Sequence, residues 1–227
     1  MENKLSVLGI EIDNYLTANS NDLIDEYLGN DCMNTISIIQ ISTLLRAVED
    51  SEFKEYIEQM DLTVVGDRFI LEYTGLTDKQ KLQEAEDGQF LIQFFENVIQ
   101  SKKTIYILGE KDQYIDKYMK SLTKCYFGLN IAGKYAISGY EQDWDSIVNE
   151  INSVSPDVII SILDSPFQEK FVNKNKNKIS AKVWIGLGDD VQFAEITLKN
   201  NWLSKLIDKK ILSSKIKKYE IEKGDRV

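Results

Sequence analysis

A glutamine and a glutamate follow an apolar, strand-like run in the segment SPFQEKF, which begins at Ser165. Pro166 suits the first turn of a helix that Ser165 or Asp164 can cap. Glu169 is favoured beside the positive end of the same helix. Helix formation does not require Gln168, whose amide can both donate and accept hydrogen bonds. We therefore interpret Gln168 as a contact for a sugar or a phosphate.

The residue types in the chain limit the catalytic chemistry. The sequence contains no histidine, so Ser/His/Asp and Cys/His arrangements are excluded and a carboxylate is the favoured general base. The two cysteines, Cys32 and Cys125, are far apart and lack a paired spacing. We expect them to be reduced, buried thiols, and we expect no zinc site.

Two glycine-containing segments could approach a nucleotide. ILGEKDQ has a single glycine, Gly109, and lacks both the three glycines of a dinucleotide fingerprint and the Walker lysine. Gly109 either permits a tight turn or contacts a ligand. WIGLGDDVQFAE contains Gly186, Gly188, Asp190 and Gln192. This segment is either a turn with a capping aspartate or a close backbone approach to a nucleotide, in which Asp190 or Gln192 contacts the base or ribose.

The segment DWD, Asp143 to Asp145, has the acid-x-acid spacing with which many sugar-nucleotide transferases hold a divalent metal. The same residues open a predicted helix, where acidic side chains are favoured on electrostatic grounds. We favour the helix-start interpretation and expect neither a metal nor a cofactor.

Strand-like and helical segments alternate regularly from residue 103 onward, which predicts right-handed crossovers and a parallel sheet. The fold class is therefore α/β, with a Rossmann-like, mainly parallel sheet, helices on both faces and a C-terminal helical appendage. We assign residues 1–198 to a single domain and 199–227 to the appendage. The region 61–73 is predicted as a strand with a charged turn, and 77–89 as an exposed connection or a mobile loop.

Ligands of open parallel sheets bind beyond the carboxyl ends of the strands. The readable strand ends are 66–67, 109–110, 164–168 and 186–190. We expect these loops to line one crevice.

Charge is distributed unevenly along the chain. The net charge is −10, and residues 199–218 hold seven lysines and one aspartate, a balance of +6 that leaves −16 for the rest. An acidic body argues against nucleic acid as a partner. Lys205, Lys209 and Lys210 surround apolar residues at helical spacing, which is typical of a helix at an anionic membrane surface or of one docked on its own domain.

We find no signal peptide or membrane span and expect a cytoplasmic protein.

Several of these segments together resemble the WecG/TagA/CpsF family of bacterial cell-surface glycosyltransferases. The resemblance covers most of the chain in order, through LGIEIDN, EDSEFKEYIEQMDLTVVGD, IYILGEKDQYIDKYMKSL, LNIAGKY, SPDVIISILDSPFQEKFV and WIGLGDDVQF. Its most specific piece is PFQEK, residues 166–170, where the family usually reads Pro-Lys-Gln-Glu-Lys.

The resemblance implies an inverting transfer of an N-acetylated amino sugar, of the N-acetylmannosamine type, from a UDP donor to a polyprenyl-diphosphate-linked acceptor. It implies Asp67 as the base and Gln168 as a donor-sugar contact. The further donor-binding candidates are Gln40, Gly109, Glu169, Gly186, Gly188, Asp190 and Gln192. Lys205, Lys209 and Lys210 would face the acceptor or the inner face of the cell membrane. A homo-oligomer, or association with a partner glycosyltransferase, is a further expectation.

Parts of the family pattern are changed in this chain. The family's Asp-Gly pair after the middle strand reads Gly66-Asp67, and its Gly-Gly-Ala-Phe-Asp-Phe run reads GDDVQF, residues 188–193. Added acids near a diphosphate oppose its binding. The alternative function is therefore a catalytically degenerate member that acts as a binding or scaffolding partner of an active transferase.

Overall fold

The computed structural model describes residues 4–13, 20–137, 143–187, 211–219 and 221. Within these ranges the strands are β1 Lys4–Val7, β2 Ile10–Asp13, β3 Asn34–Ile39, β4 Leu62–Val65, β5 Thr104–Gly109, β6 Asn130–Ala136, β7 Val158–Ile162 and β8 Val183–Gly186. The helices are α1 Ser20–Gly29, α2 Ile41–Glu49, α3 Ser51–Glu58, α4 Arg68–Tyr73, α5 Lys79–Asp87, α6 Gln89–Gln100, α7 Asp112–Cys125, α8 Trp144–Val154 and α9 Phe167–Asn175. A further helix, α10, covers 211–219.

Strands β3 to β8 form one six-stranded sheet in the order β4-β3-β8-β7-β5-β6. Every neighbouring pair is parallel, and the central strand β8 pairs with β3 on one side and β7 on the other. The early strands β3 and β4 therefore share a sheet with the four later ones. The antiparallel hairpin β1–β2 forms a separate two-stranded sheet.

Apolar side chains of the parallel strands pack on both faces of the sheet, because successive residues of a strand point in opposite directions. In β5, Ile105 and Ile107 join a core with α1, α6 and α7, whereas Tyr106 and Leu108 join a core with α8 and α9. Helices thus cover both faces, and the Rossmann-like α/β prediction is confirmed.

Two aspartate–threonine pairs, here called the amino-edge clamps, join parallel strands at the edge where they begin. Thr35 donates from its N–H and its hydroxyl to Asp61 Oδ2, at 2.7 and 2.8 Å, and the Asp61 N–H donates back to Thr35 Oγ1 at 3.1 Å. Thr104 and Asp157 repeat this arrangement between β5 and β7, at 2.8, 2.9 and 3.0 Å. Each clamp satisfies a carboxylate and two backbone N–H groups together.

A lysine also pairs with each clamp aspartate. Lys176 Nζ lies 2.5 Å from Asp61 Oδ2, and Lys103 Nζ lies 3.1 Å from Asp157 Oδ1. Burial acts to raise the pKa of both aspartates, but the hydrogen bonds from threonine and lysine outweigh burial and lower each pKa below its ordinary value. The amino-edge clamps therefore hold ionised carboxylates.

The strand that the sequence predicted over 61–73 is wrong beyond Val65. Asp67 begins helix α4 there, because its Oδ1 accepts a hydrogen bond from the Phe69 N–H at 2.7 Å. Such a cap satisfies one of the N–H groups that a helix start leaves without an intrahelical partner.

The polar segment 77–89 was expected to be an exposed connection or a mobile loop. Only Leu82 of this segment is buried, as expected for an exposed segment, but the prediction of a connection without regular structure is wrong. The segment contains helix α5, which Asp78 caps by accepting from the Gln80 and Lys81 N–H groups at 2.9 and 3.3 Å. Gly88 ends the helix in the left-handed conformation, with φ of 64°, that favours glycine.

The prediction of buried cysteines is wrong as well. Cys32 and Cys125 are free and exposed. The apolar neighbours Met33 and Leu122 occupy the buried positions of these segments. Two separate thiols at the surface agree with the lack of a paired cysteine spacing in the sequence.

Helix α10 packs on the domain. Leu212 and Ile216 are 0% and 4% exposed and join a core with the β1–β2 hairpin, α2 and α3. Lys215 forms an ion pair with Glu49 of α2. The neighbouring Ile211 is 41% exposed. Lys205, Lys209 and Lys210 lie outside the described residues, so their contact with a membrane stays a prediction.

None of the helices in the described ranges combines the length and the apolar character needed to cross a bilayer.

Candidate functional site

The carboxyl edge of the sheet, where the parallel strands end, carries most of the sequence-predicted residues that the structure describes. They are Gln40 after β3, Gly66 and Asp67 after β4, Gly109 at the end of β5, Gly186 at the end of β8, and Gln168 and Glu169 in the first turn of α9 after β7. At about 4.8 Å per strand, the ends of β3 and β7 on either side of β8 lie about 10 Å apart. The ends of β4 and β5 lie about 19 Å apart by the same spacing.

Three side chains in the segment between β7 and α9 form what we call the amide cluster: Ser165, Gln168 and Glu169. The Gln168 Nε2 donates to Glu169 Oε1 at 2.9 Å and to Ser165 Oγ at 3.4 Å. The Ser165 hydroxyl donates to the same Glu169 Oε1 at 2.8 Å. The Ser165–Pro166 peptide bond is cis, and α9 begins directly after it without a side-chain cap. Ser165 therefore binds the glutamate instead of capping the helix as predicted.

The amide cluster contains two buried oxygen atoms without a hydrogen-bond partner among the described residues, Gln168 Oε1 and Glu169 Oε2. Gln168 and Glu169 are 4% and 3% exposed. Burial raises the pKa of Glu169. Hydrogen bonds from Ser165, from the backbone N–H of Glu169 itself and from Gln168, together with the charge of Arg46 on α2, offset this rise only in part. Buried polar atoms usually have partners, so two such oxygens on adjacent residues at the carboxyl edge make the amide cluster a candidate for contact with a ligand.

Each glutamine at the carboxyl edge lies over a glycine of the neighbouring strand. A Cβ on Gly186 would lie 3.3 Å from Gln168 Oε1, and a Cβ on Gly66 would lie 2.4 Å from Gln40 Nε2. Both glycines leave room for an amide. Sequence analysis identified Gln40, Gln168 and Gly186 separately but missed their pairing, because that depends on the strand order.

Asp67 and Gly109 both have local structural roles. The Asp67 carboxylate caps α4, as described above. The space beside Gly109 is filled, since a Cβ there would lie 2.6 Å from Ile115 Cγ1 and 3.0 Å from Ile162 Cγ1. Packing therefore explains the glycine, and its contact with a nucleotide stays a prediction. The role of Asp67 as a base stays a prediction too.

The acid-x-acid pair begins helix α8. Asp143 accepts from the Ser146 N–H at 3.2 Å and from the Ser146 hydroxyl at 2.6 Å, and Asp145 pairs with Lys178 at 2.8 Å. Within the ranges that the structure describes, no three His, Cys, Asp or Glu side chains form a group that could hold a metal ion. Gly188, Asp190 and Gln192 lie outside the described residues.

The contributions of Ser165 and Arg46 to the site were not predicted from the sequence. The spacing of Ser165 and Glu169, four residues apart, was a visible signal, because such residues can meet on one side of a helical turn. Arg46 lies on a different element and gave no local signal.

The fold and the carboxyl edge define a Rossmann-like α/β protein with buried amide and carboxyl oxygens where such sheets bind ligands. The family model described as "Glycosyl transferase WecG/TagA/CpsF family" matches residues 5–197. The chain belongs to this family. The matched range includes Asp67, Gln168 and Gln192 and stops before Lys205.

Two relatives carry the name "N-acetylglucosaminyldiphosphoundecaprenol N-acetyl-beta-D-mannosaminyltransferase". The protein from Bacillus subtilis (strain 168) is 24% identical over 199 residues, which cover 85% of this chain and 77% of the relative. The protein from Bacillus spizizenii (strain ATCC 23059 / NRRL B-14472 / W23) is 29% identical over 89 residues, which cover 39% of this chain and 34% of the relative.

Proposed function

We propose that this protein transfers an N-acetylated amino sugar, of the N-acetylmannosamine type, from a UDP donor to a polyprenyl-diphosphate-linked acceptor in the synthesis of a cell-surface polysaccharide or teichoic acid. The observation that carries the proposal is the family match over residues 5–197. The names of both relatives describe N-acetylmannosaminyl transfer to N-acetylglucosaminyldiphosphoundecaprenol. The buried oxygens without partners at the carboxyl edge add physical support.

In this proposal Asp67 is the general base and needs neither a metal nor a cofactor. The α4 cap engages Asp67 Oδ1. A carboxylate has a second oxygen, which can accept a proton from the acceptor hydroxyl. The departing UDP takes the electron pair of the broken sugar–phosphate bond, while the acceptor oxygen forms the new bond with inversion at the anomeric carbon.

The donor would lie along the carboxyl edge. We assign donor contacts to Gln40, Gln168, Glu169 and Gly186, and to Gly109, Gly188, Asp190 and Gln192 as further candidates. Lys205, Lys209 and Lys210 would bind the acceptor diphosphate or anionic lipid at the inner membrane face, which makes the protein cytoplasmic and peripheral. A homo-oligomer or a partner transferase belongs to the same proposal.

A degenerate member that binds a partner transferase is the second candidate function. The observation in its favour is that the Asp67 carboxylate already serves as the cap of α4. A protein of this kind would keep the fold and lose turnover.

The test combines transfer with binding. The purified chain is incubated with UDP-N-acetylmannosamine and a polyprenyl-diphosphate-linked N-acetylglucosamine, and the lipid-linked disaccharide is detected by mass spectrometry. We expect product formation without added metal and saturable binding of UDP by calorimetry. Absence of both product and UDP binding at millimolar concentration would instead support the degenerate candidate.

A further inference from the structure

The amide of Gln168 has a defined direction. Its Nε2 faces Glu169 Oε1 at 2.9 Å and Ser165 Oγ at 3.4 Å. Rotating the amide by half a turn would bring its carbonyl oxygen against the glutamate oxygen, and two acceptors cannot form a hydrogen bond. The Ser165 hydroxyl already donates to the glutamate, so it has no proton to offer the rotated amide. Glu169 and Ser165 therefore hold the Gln168 amide in the orientation in which its NH2 group faces them.

This direction leaves the Gln168 carbonyl oxygen as the atom that needs a partner. Gln168 Oε1 is buried and lies over Gly186, without a hydrogen-bond partner among the described residues. A carbonyl oxygen only accepts hydrogen bonds. A phosphate oxygen without a proton also only accepts, so it cannot satisfy Gln168. A hydroxyl of the transferred sugar or an acetamido N–H can satisfy it, and so can a ribose hydroxyl or the uracil N–H, which the comparison with UDP below distinguishes.

We propose that Glu169, together with Ser165, is a positioning residue that directs the carbonyl oxygen of Gln168 toward a hydrogen-bond donor of the sugar, so that Gln168 reads the sugar and not the diphosphate. This inference rests on the proposed function, because it assumes a UDP-sugar donor. It adds a physical reason, the direction of the amide, for the donor-sugar contact that the family resemblance implies for Gln168.

The experiment compares the affinities of UDP and of UDP-N-acetylmannosamine for a set of variants by calorimetry. Gln168→Met keeps the side-chain length and removes the carbonyl. We expect this variant to lower the affinity for UDP-N-acetylmannosamine about fivefold, which corresponds to one neutral hydrogen bond of about 1 kcal/mol. The affinity for UDP should stay within about twofold of wild type.

Variants at Glu169 separate positioning from structural support. Glu169→Met should weaken binding of the UDP-sugar at least as much as Gln168→Met, because it also removes the Glu169 oxygen assigned to the donor. The double variant should lose no more affinity than Glu169→Met alone. Glu169→Gln keeps an oxygen that accepts from Gln168 and Ser165, so it should restore affinity to within about twofold of wild type. Thermal unfolding of each variant checks that the fold is retained.

A ligand-independent measurement keeps the inference testable if Gln168→Met fails to fold. In 15N-labelled protein, the side-chain NH2 of Gln168 should be protected from hydrogen exchange, and Glu169→Met should remove this protection. An unprotected NH2 in the wild type would overturn the fixed direction of the amide.

The remaining outcomes are distinguishable. The inference would be overturned if Gln168→Met weakened binding of UDP and UDP-N-acetylmannosamine equally, or left both affinities unchanged. It would also be overturned if the losses of affinity from the two single substitutions added up in the double variant. In each of these cases the proposed function would stand. Failure of the wild type to bind either ligand would overturn the proposed function and the inference with it.

Discussion

Two groups of buried polar side chains at opposite edges of the parallel sheet, the amino-edge clamps and the amide cluster, differ in how fully they are hydrogen-bonded. At the amino edge, Asp61 and Asp157 each receive a threonine N–H, a threonine hydroxyl and a lysine. At the carboxyl edge, Gln168 and Glu169 each retain an oxygen without a partner among the described residues. Saturated groups stabilise a fold, whereas unsatisfied buried groups cost stability unless a ligand completes them. From this contrast we predict that the amino-edge clamps serve stability and that the amide cluster serves binding.

The largest expected effect is on transfer and falls at the carboxyl edge. Asp67→Asn should lower kcat about 100-fold or more, because an amide cannot act as a general base. Asparagine caps helices about as well as aspartate, so α4 and the melting temperature should be retained. Single-turnover measurements of lipid-linked product would show the loss.

Asp78→Asn is the matched control for this prediction. Asp78 caps α5 in the same way that Asp67 caps α4, and it lies on an exposed helix start. Transfer by this variant should equal that of wild type. Equal activity of the Asp67→Asn variant would remove Asp67 from the mechanism and leave the base unassigned.

The next largest effect is on stability and falls at the amino edge. Thr104→Val removes the hydroxyl that both donates to Asp157 and accepts from its N–H. We expect a loss of about 2 kcal/mol in the free energy of unfolding, measured in urea, with UDP affinity unchanged. The same substitution at Thr123, whose hydroxyl bonds the exposed turn of α7, should cost much less. Weakened UDP binding by Thr104→Val would contradict the division of roles.

The contributions of Asp157 at the amino edge and Glu169 at the carboxyl edge to the free energy of unfolding should change with pH in opposite directions. The pKa of Asp157 is lowered in the folded state. Its contribution to the free energy of unfolding is therefore present above the unfolded pKa of about 3.9 and is lost as pH falls through the folded pKa. The pKa of Glu169 is raised, so stability is greatest below the unfolded pKa of about 4.3 and declines as pH rises through the folded value.

Unfolding in urea across this pH range provides the measurement. The destabilisation by Asp157→Asn should shrink as pH falls, because protonation removes the charge that the clamp stabilises. Glu169→Gln should gain stability relative to wild type as pH rises, because it removes the buried charge. If the stability difference from wild type changed with pH in the same direction for both variants, the contrast between the edges would be contradicted.

Sequence alone predicted the regular part of the fold well. Apolar strands such as TIYILG alternate with long amphipathic helices, and that alternation is sufficient to predict parallel crossovers. Helix α5 was missed because its residues are mostly polar and charged, although its caps, Asp78 and Gly88, were readable. Capping residues were therefore the better local signal in this region.

The candidate site was only partly predictable. Gln168 and Glu169 could be placed at a strand end from their position after an apolar run. Their burial, and the charge of Arg46 beside Glu169, depend on packing between separate elements. The pairing of Gln168 with Gly186 depends on β8 lying between β3 and β7, which the alternation of elements does not determine.

The smallest expected effect tests whether the room over Gly186 matters to the ligand. An alanine Cβ at this position would lie 3.3 Å from Gln168 Oε1 and 3.4 Å from its Cδ, which requires the amide to move by a few tenths of an ångström. We expect Gly186→Ala to weaken UDP-N-acetylmannosamine about two- to threefold, since a displaced acceptor loses part of one hydrogen bond.

Gly66→Ala provides the comparison at the second glutamine–glycine pair. Its Cβ would lie 2.4 Å from Gln40 Nε2 and 2.6 Å from Ile38 Cγ2. The amide can rotate away but the branched isoleucine cannot, so Gly66→Ala should lower the melting temperature more than Gly186→Ala does. If Gly186→Ala instead reduces stability and leaves UDP-N-acetylmannosamine affinity unchanged, Gly186 is a packing position like Gly109, and the space beside Gln168 is not used by the sugar.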